Sequence, residues 1–248
     1  MRLSLGHMPG LVRSLIIYCR PGRQAGLRSL YRPFVRPGDT VFDIGAHLGD
    51  RSRAFSALGA RVVALEPQAH LIPWLRWLCR HHARITVLPM AVGAKAGTAQ
   101  MAVSRTHPSV SSMASDWRDT VADRQPGFRG VRWDAAQTVR VCTLDQLIET
   151  YGQPTFCKID VEGYEAEVLA GLSRPIDALS LEFIGGMPGP TGRCIDILER
   201  LAPYQYNVIP GEGRRFLFAQ WQSAQAMRRW LEERSSAIPS GDLYARRV

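Results

Sequence analysis

The sequence contains few lysines, and a long N-terminal stretch has no acidic residue. Lys95 and Lys158 are the only lysines among 31 basic residues, and the rest are arginines. Residues 1–37 contain seven arginines and no aspartate or glutamate, in a chain of 248 residues with a formal net charge of +9. A basic arm of this kind suits nucleic acid, an anionic membrane surface or an acidic substrate, and equally a solvated helix face.

Long apolar runs and paired cysteines are also missing. No stretch approaches the roughly 18–20 apolar residues of a transmembrane helix. Gly6, Pro9 and Gly10 interrupt the apolar N-terminal residues, so no signal peptide is expected. The five cysteines are scattered and form no C-x-x-C pair, which argues against a disulfide framework or a zinc site. These absences predict a cytoplasmic globular protein with reduced thiols.

Short apolar segments alternate with helical ones from Thr40 onward. This alternation predicts an α/β fold with a mostly parallel seven-stranded sheet, one antiparallel edge strand and helices on both faces. Strands are predicted at 40–44, 61–65, 85–88, 97–103, 139–142, 156–161, 178–184, 206–209 and 215–219. Helices are predicted at 11–18, 27–35, 50–58 (with Asp50 as its N-cap), 69–82, 144–151, 165–172, 192–202 and 222–233.

The length predicts one principal domain with a short appendage. We assign residues 1–37 to a basic N-terminal helical arm and residues 38–248 to the domain. Within the domain, residues 104–138 are polar and irregular, and a loop of this length is typical of a lid or a binding loop.

Carboxylates lie at the ends of four predicted strands. Asp43 belongs to the first strand, Glu66 follows the second, Asp160 and Glu162 stand at the end of the strand at 156–161, and Glu182 is near the end of the next. Because ligands bind beyond the carboxyl ends of the strands in open parallel sheets, these residues predict a functional site at that edge.

The first strand runs into a tight glycine turn between Gly45 and Gly49. No G-K-[ST] follows, which excludes a P-loop, and His47 replaces the middle glycine of a dinucleotide-binding motif. Asp43 would repel a phosphate but suits an ammonium group, while Glu66 suits the two hydroxyls of a ribose. The pair predicts a positively charged adenosine ligand without phosphates, namely S-adenosylmethionine.

Five segments carry a family resemblance: VFDIGAHLGD (41–50), LEP (65–67), AVG (91–93), TLDQL (143–147) and KIDVEGYEAEVLAG (158–171). In this order and spacing, the chain resembles the FkbM family of class I S-adenosylmethionine-dependent methyltransferases. The resemblance implies a Rossmann-like fold and methyl transfer to a hydroxyl of a sugar, a glycolipid or another secondary metabolite. His47 stands where the family more often has asparagine.

The resemblance also implies a cofactor site. The glycine turn would hold the methionine part, the end of the second strand would hold the ribose, and the segment after the third strand would lie near the adenine. The cofactor-binding residues implied are Asp43, Gly45, Ala46, His47, Gly49, Glu66, Pro67, Ala91 and Val92.

Transfer to a hydroxyl is helped by a positioned base. Lys158, Asp160 and Glu162 alternate at the period of a strand and are predicted to face one side of it. Asp160 is the candidate base or positioning carboxylate, and Lys158 would orient it or lower the pKa of the acceptor. Glu162 and Glu182 would bind acceptor hydroxyls. No metal is predicted, although a structural ion-pair cluster and a Mg²⁺ site at Asp160 and Glu162 stay open as alternatives.

Three residues of the long loop are candidates for contacting the acceptor: His107 directly, and Trp117 and Trp133 by stacking on a sugar face. The predicted acceptor is a small molecule or glycan, and the basic arm could make a peripheral membrane contact. A nucleic-acid methyltransferase is disfavoured because the basic residues concentrate in the arm and no N-P-P-Y-type motif occurs. An inactive methyltransferase-like binding module is the third alternative, against which the intact Asp43 and Glu66 argue.

Overall fold

The computed structural model of the chain describes residues 20, 22–104, 111–114, 121 and 130–248. In this part of the chain the strands are β1 (Thr40–Ile44), β2 (Arg61–Leu65), β3 (Ile85–Leu88), β4 (Ala91–Val92), β5 (Gly97–Val103), β6 (Ala135–Cys142), β7 (Phe156–Ile159), β8 (Ala178–Ile184), β9 (Tyr204–Pro210) and β10 (Ser240–Arg247). The α-helices are α1 (Arg23–Tyr31), α2 (Asp50–Ala57), α3 (Ile72–Cys79), α4 (Leu144–Tyr151), α5 (Glu165–Leu169), α6 (Pro188–Leu201) and α7 (Ala224–Arg234).

The main sheet has seven strands in the order β3-β2-β1-β7-β8-β10-β9. Neighbouring strands are parallel except at β10, which is antiparallel to both β8 and β9. After β1 the chain adds β2 and β3 toward one edge of the sheet, and after β7 it adds β8 and the later strands toward the other edge. The carboxyl ends of β1 and β7 therefore border the crevice in which open α/β sheets bind their ligands.

Apolar side chains cover both faces of this sheet, because the strands alternate buried residues above and below it. One face packs against α1, α2 and α3 through Leu27, Phe55 and Leu75. The other face packs against α4 to α7 through residues that include Leu147 and Leu198. The predicted α/β architecture with helices on both faces is confirmed.

A second, smaller sheet lies beside the first, with the order β4-β6-β5. Its core is formed by Ala91, Met101, Val103, Val139 and Val141. The segment 111–114 continues it, because Ser112 and Ala102 exchange two backbone hydrogen bonds of 3.0 and 3.1 Å. This sheet occupies part of the range predicted as a long loop, since β6 begins at Ala135 and not at residue 139.

The C-terminal strands differ from the prediction. Residues 215–219 run beside β9 but form no strand. The side chain of Asn207 on β9 bonds both the amide and the carbonyl of Phe218. The strand that pairs with β9 is β10, after α7, which the sequence pattern did not indicate. The antiparallel strand is consequently next to the edge and not at it.

Helix α1 packs on the domain through buried residues of the predicted arm. Leu27, Tyr31 and Val35 belong to the same hydrophobic cluster as β1 and β2, and the Arg23 guanidinium forms a buried ion pair with Asp50 at 2.6 Å. The predicted helix at 11–18 lies outside the described residues. The N-cap of α2 is Gly49, not the predicted Asp50.

Cys79, Cys142, Cys157 and Cys194 are buried free thiols. Among the helices of the described residues, none is long and apolar enough to cross a membrane.

Candidate active site

The turn after β1 is pressed against the end of β7. Gly45 has a φ of +78°, and a Cβ at this position would lie 1.9 Å from the carbonyl oxygen of Asp160. The amides of Gly45 and Ala46 both donate to the Leu65 carbonyl at the end of β2. Glycine is therefore required at residue 45, and the turn brings the ends of three strands together.

A cleft of about 690 Å³, counting its open mouth, lies beyond these strand ends. One wall comes from the main sheet and the other from the small sheet. Residues lining the cleft are Ile44, Gly45, His47, Glu66, Pro67, Gln68, Met90, Ala91, Val92, Met101, Ser111, Met113, Asp160, Val161 and Glu162.

Glu66 is held rigidly at the cleft. Its Oε2 accepts the backbone N–H of His47 at 3.0 Å, and its Oε1 accepts that of Gln68 at 2.8 Å. Burial raises the pKa of Glu66 to about 7, against the lowering effect of these two hydrogen bonds. Each carboxylate oxygen still has acceptor capacity, which suits a pair of neighbouring hydroxyl donors.

His47 has a left-handed backbone with a φ of +50°, which directs its amide toward Glu66. Burial lowers the pKa of the His47 ring to about 4, against the attraction of Asp50 and Asp160. The ring is therefore neutral at physiological pH, so it can orient a ligand but carries no charge toward it.

The cleft fits an adenosine cofactor. The Glu66 carboxylate offers acceptors for a ribose, while Ala91, Val92 and Met101 form an apolar wall for a flat base. Asp160 also lines the cleft and supplies the negative charge that a positively charged ligand requires.

Three residues predicted to contact the cofactor lie behind the cleft wall. The Asp43 carboxylate is buried and accepts the Ser52 hydroxyl, so its placement does not support direct contact with an ammonium group. Ala46 is buried in the wall. A Cβ at Gly49 would collide with Leu75 and Cys79, which shows that this glycine serves the packing of α3 against α2.

Lys158 is buried between the glycine turn and the cleft. Its ammonium lies 2.9 Å from Asp160 and 3.8 Å from Asp43, and it donates to the Gly45 carbonyl at 3.3 Å. Burial opposes the charged form, but Asp160 and Asp43 raise the pKa of Lys158 above its usual value. Lys158 therefore lies beneath the site in contact with Asp160, and its role in orienting Asp160 stays a prediction.

Asp160 is the charged carboxylate of the cleft. Burial would raise its pKa, but Lys158 and Arg51 hold the pKa of Asp160 below its usual range. The Lys158 ion pair fixes its Oδ2 and leaves the group partly exposed to the cleft.

Glu162 and Glu182 stand close to Asp160, and one oxygen from each of the three residues lies within 4.8 Å of the others. That spacing would allow one cation to be held among them. Burial and neighbouring carboxylates raise the pKa values of Glu162 and Glu182 well above the ordinary range. The cluster thus contains one ionised carboxylate and two carboxyl groups that readily keep a proton.

The strand period does not account for Glu162. Strand β7 ends at Ile159, and Glu162 occupies a left-handed position with a φ of +56°. The turn at residues 160–163, not the pleat of a strand, brings Glu162 to the cluster. Glu182 lies on the neighbouring strand β8, and its hydrogen bond to Asp160 helps lower the pKa of Asp160.

Sequence reasoning missed several residues of the site. Gln68, Met90 and Met101 line the cleft, and Asp242 on β10 pairs in register with Glu182. The small sheet brings in Met101, an arrangement that no local pattern signals. Gln68, two residues after Glu66, could have been included by proximity.

The structure describes one of the three loop residues predicted to contact the acceptor. His107 and Trp117 lie outside the described residues. Trp133 packs beside Val121, Ile184 and Met187, in a cluster separate from the cleft lining.

A doubly wound sheet with a glycine turn after β1 and an acidic residue after β2 is the arrangement of a Rossmann-like nucleotide-binding domain. The family model for the methyltransferase FkbM domain matches residues 43–236. The chain belongs to the FkbM family of methyltransferases, and its cofactor is S-adenosylmethionine.

Several solved structures are similar at low identity. A TehB-like SAM-dependent methyltransferase from Corynebacterium glutamicum has a TM-score of 0.49 at 11% identity, covering 96% of this chain and 95% of that one. An O-methyltransferase from Bacillus cereus, in complex with SAH, has a TM-score of 0.47 at 13% identity, with coverages of 100% and 93%. A precorrin-6y C5,15-methyltransferase from Geobacter metallireducens has a TM-score of 0.47 at 12% identity, with coverages of 90% and 88%. No curated protein matches the chain.

Proposed function

We propose that this methyltransferase is an O-methyltransferase acting on a hydroxyl of an uncharged small molecule or glycan, such as a sugar, a glycolipid or another secondary metabolite. The carboxylate of Asp160 carries the proposal. It is ionised, open to the cofactor cleft and fixed by Lys158 at 2.9 Å.

Asp160 and Lys158 suit proton removal from a hydroxyl. When bound, S-adenosylmethionine supplies an electrophilic methyl group on a positively charged sulfur. Asp160 would accept the hydroxyl proton as the acceptor oxygen bonds to the methyl carbon, whose bond to sulfur breaks to release neutral S-adenosylhomocysteine. Lys158 holds the Asp160 carboxylate in place throughout, and its own charge is balanced by Asp43.

Glu162 and Glu182 are proposed to bind further hydroxyls of the acceptor. A carboxyl group that keeps its proton both donates and accepts hydrogen bonds, as a hydroxyl does. The ionised Asp160 beside them would repel a phosphate or carboxylate on the acceptor, which favours an uncharged molecule.

One arginine in the described part of the basic arm is committed to the fold and not available to nucleic acid. Arg23 is engaged by Asp50 at 2.6 Å and by Glu212 at 3.0 Å. We keep a peripheral membrane contact through the basic arm, residues 1–37, as a proposal on sequence grounds alone.

Calorimetry followed by a transfer assay tests the function. We expect micromolar binding of S-adenosylmethionine and S-adenosylhomocysteine, and none of NAD. Tritium from S-adenosyl-[methyl-³H]methionine is then expected to pass to neutral glycans or glycolipids and not to tRNA or duplex DNA. Transfer only to nucleic acid would overturn the acceptor class, and failure to bind either cofactor form would favour an inactive binding module.

The affinity for S-adenosylhomocysteine is expected to depend on pH through Glu66. Its carboxylate must be ionised to accept both ribose hydroxyls, and its pKa in the free protein is about 7. The apparent Kd should therefore rise about tenfold between pH 8 and pH 6, because about one tenth of Glu66 is ionised at pH 6. Binding should release protons near pH 7, as titrations in buffers of different ionisation enthalpy would detect.

The variant Glu66→Gln is the matched control for this pH dependence. It should bind S-adenosylhomocysteine more weakly at pH 8 and lose the dependence on pH, since His47, with a pKa of about 4, does not titrate in this range. An unchanged pH dependence in Glu66→Gln would assign the proton to another group.

A further inference from the structure

Ser112 links the two walls of the cofactor cleft. Its backbone is paired with Ala102 on β5, and its neighbours Ser111 and Met113 line the cleft. The Ser112 hydroxyl donates a hydrogen bond of 2.6 Å to the backbone carbonyl of Glu162, at the end of the main sheet. The same oxygen accepts the Ala114 amide at 2.9 Å. Ser112 is 1% exposed, so water does not compete for these bonds.

The turn that receives this bond adopts a conformation that side-chain-bearing residues disfavour. Glu162 and His47 are the non-glycine residues with positive φ in the described part of the chain, and both border the cleft. Such conformations persist only where the surroundings hold them, and they concentrate at functional sites.

Glu165 holds the same turn from the opposite side. Its Oε1 accepts the backbone amides of Val161 at 3.0 Å and Gly163 at 3.3 Å. The amides on either side of Glu162 are therefore fixed by α5, while the Glu162 carbonyl is fixed by Ser112. Of these contacts, the Ser112 bond is the one that comes from the wall formed by the small sheet.

We propose that Ser112 is a positioning residue for methyl transfer, which holds Glu162 in its left-handed conformation and thereby keeps its carboxylate beside Asp160 and Glu182. This role rests on the proposed function, in which Glu162 binds the acceptor. Because the segment around Ser112 also lines the cofactor cleft, the bond ties the cofactor wall directly to the acceptor carboxylate.

Crystal structures of the wild type and of Ser112→Ala test the geometry without an acceptor. In Ser112→Ala we expect Glu162 to leave the left-handed region and its carboxylate to move away from Asp160. In Ser112→Thr, which keeps the hydroxyl, both should stay in place. Should Ser112→Ala fail to fold, the nearly isosteric Ser112→Cys takes its place. An unchanged Glu162 in the variant without the hydroxyl would overturn the proposal.

Kinetics with the acceptor found in the tritium assay separates positioning from general damage. Ser112→Ala should lower kcat/KM for the acceptor about 100-fold, as expected for a displaced binding group, while S-adenosylhomocysteine binds as in the wild type. Ser112→Thr should restore the lost activity. Thr138→Ala on β6 is the matched control, because it removes a hydroxyl of the same small sheet that bonds Gln100 and lies outside the cleft lining, and it should keep acceptor kinetics intact.

If Ser112→Ala lowered the affinity for S-adenosylhomocysteine and kcat/KM for the acceptor to the same degree, Ser112 would have a structural role and the proposal would be overturned. Failure of the wild type to bind S-adenosylhomocysteine would instead contradict the proposed function, while the Glu162 geometry would still decide the positioning role.

Discussion

Replacing Asp160 with asparagine is expected to lower kcat for methyl transfer about 1,000-fold, within the range of about 10²–10⁴ that a positioned base contributes. Asparagine keeps the shape of the side chain but accepts no proton from a hydroxyl. Affinity for S-adenosylhomocysteine should be nearly unchanged, because this product carries no charge on its sulfur. The measurement is steady-state transfer of tritiated methyl groups, with calorimetry of the product complex.

Asp177→Asn is the matched control for this substitution. Asp177 is exposed and forms an ion pair with Arg247 at 2.9 Å, away from the cleft, so its variant should keep full turnover. Near-normal turnover in Asp160→Asn would refute the base assignment and shift attention to Glu162 or Glu182. A higher KM for the acceptor with unchanged kcat would make Asp160 a binding group for the acceptor.

Replacing Asp43 with alanine is expected to destabilise the fold by about 3 kcal/mol, the lower end of the cost of breaking a buried ion pair. Asp43 is 0% exposed; it accepts the Ser52 hydroxyl and lies 3.8 Å from the ammonium of Lys158. Lys158 keeps its pair with Asp160 at 2.9 Å, which limits the loss. Urea unfolding of the free protein measures the free energy of unfolding.

Asp43→Asn distinguishes a structural role from direct cofactor contact. It preserves the shape of the side chain and an acceptor for Ser52, so the folded variant should bind S-adenosylhomocysteine nearly as well as the wild type. A stable Asp43→Asn or Asp43→Ala protein with greatly weakened binding would restore the direct contact that the sequence motif suggested.

The parallel strands were predictable because each is a short apolar run between turn signals. Strands β1, β2, β3 and β8 have the predicted bounds. The C-terminal segment was not predictable in the same way. The run at 215–219 has the composition of a strand, yet beside one backbone bond from Leu217 to Val208 it is the side chain of Asn207 that bonds Phe218, so no regular ladder forms.

The candidate site shows a similar division. The carboxylates at strand ends were found from sequence because parallel strands bring their carboxyl ends to one edge. The direction of each side chain could not be found from the sequence, because the Asp43 side chain points into the core, while Glu162 reaches the site through a left-handed turn. Contributions from the small sheet, such as Met101, depend on long-range packing that sequence spacing does not report.

The position of β10 has a consequence for how the protein folds during synthesis. In the sheet, β8 and β9 are not paired with each other, because β10 lies between them. Residues 240–247 of β10 are the last of the sheet to leave the ribosome. Until then, the growing chain displays β8 as an unpaired edge, the kind of surface that recruits other strands. A pause in translation before residue 240 should therefore favour aggregation, and it would leave Glu182 without Asp242 beside it.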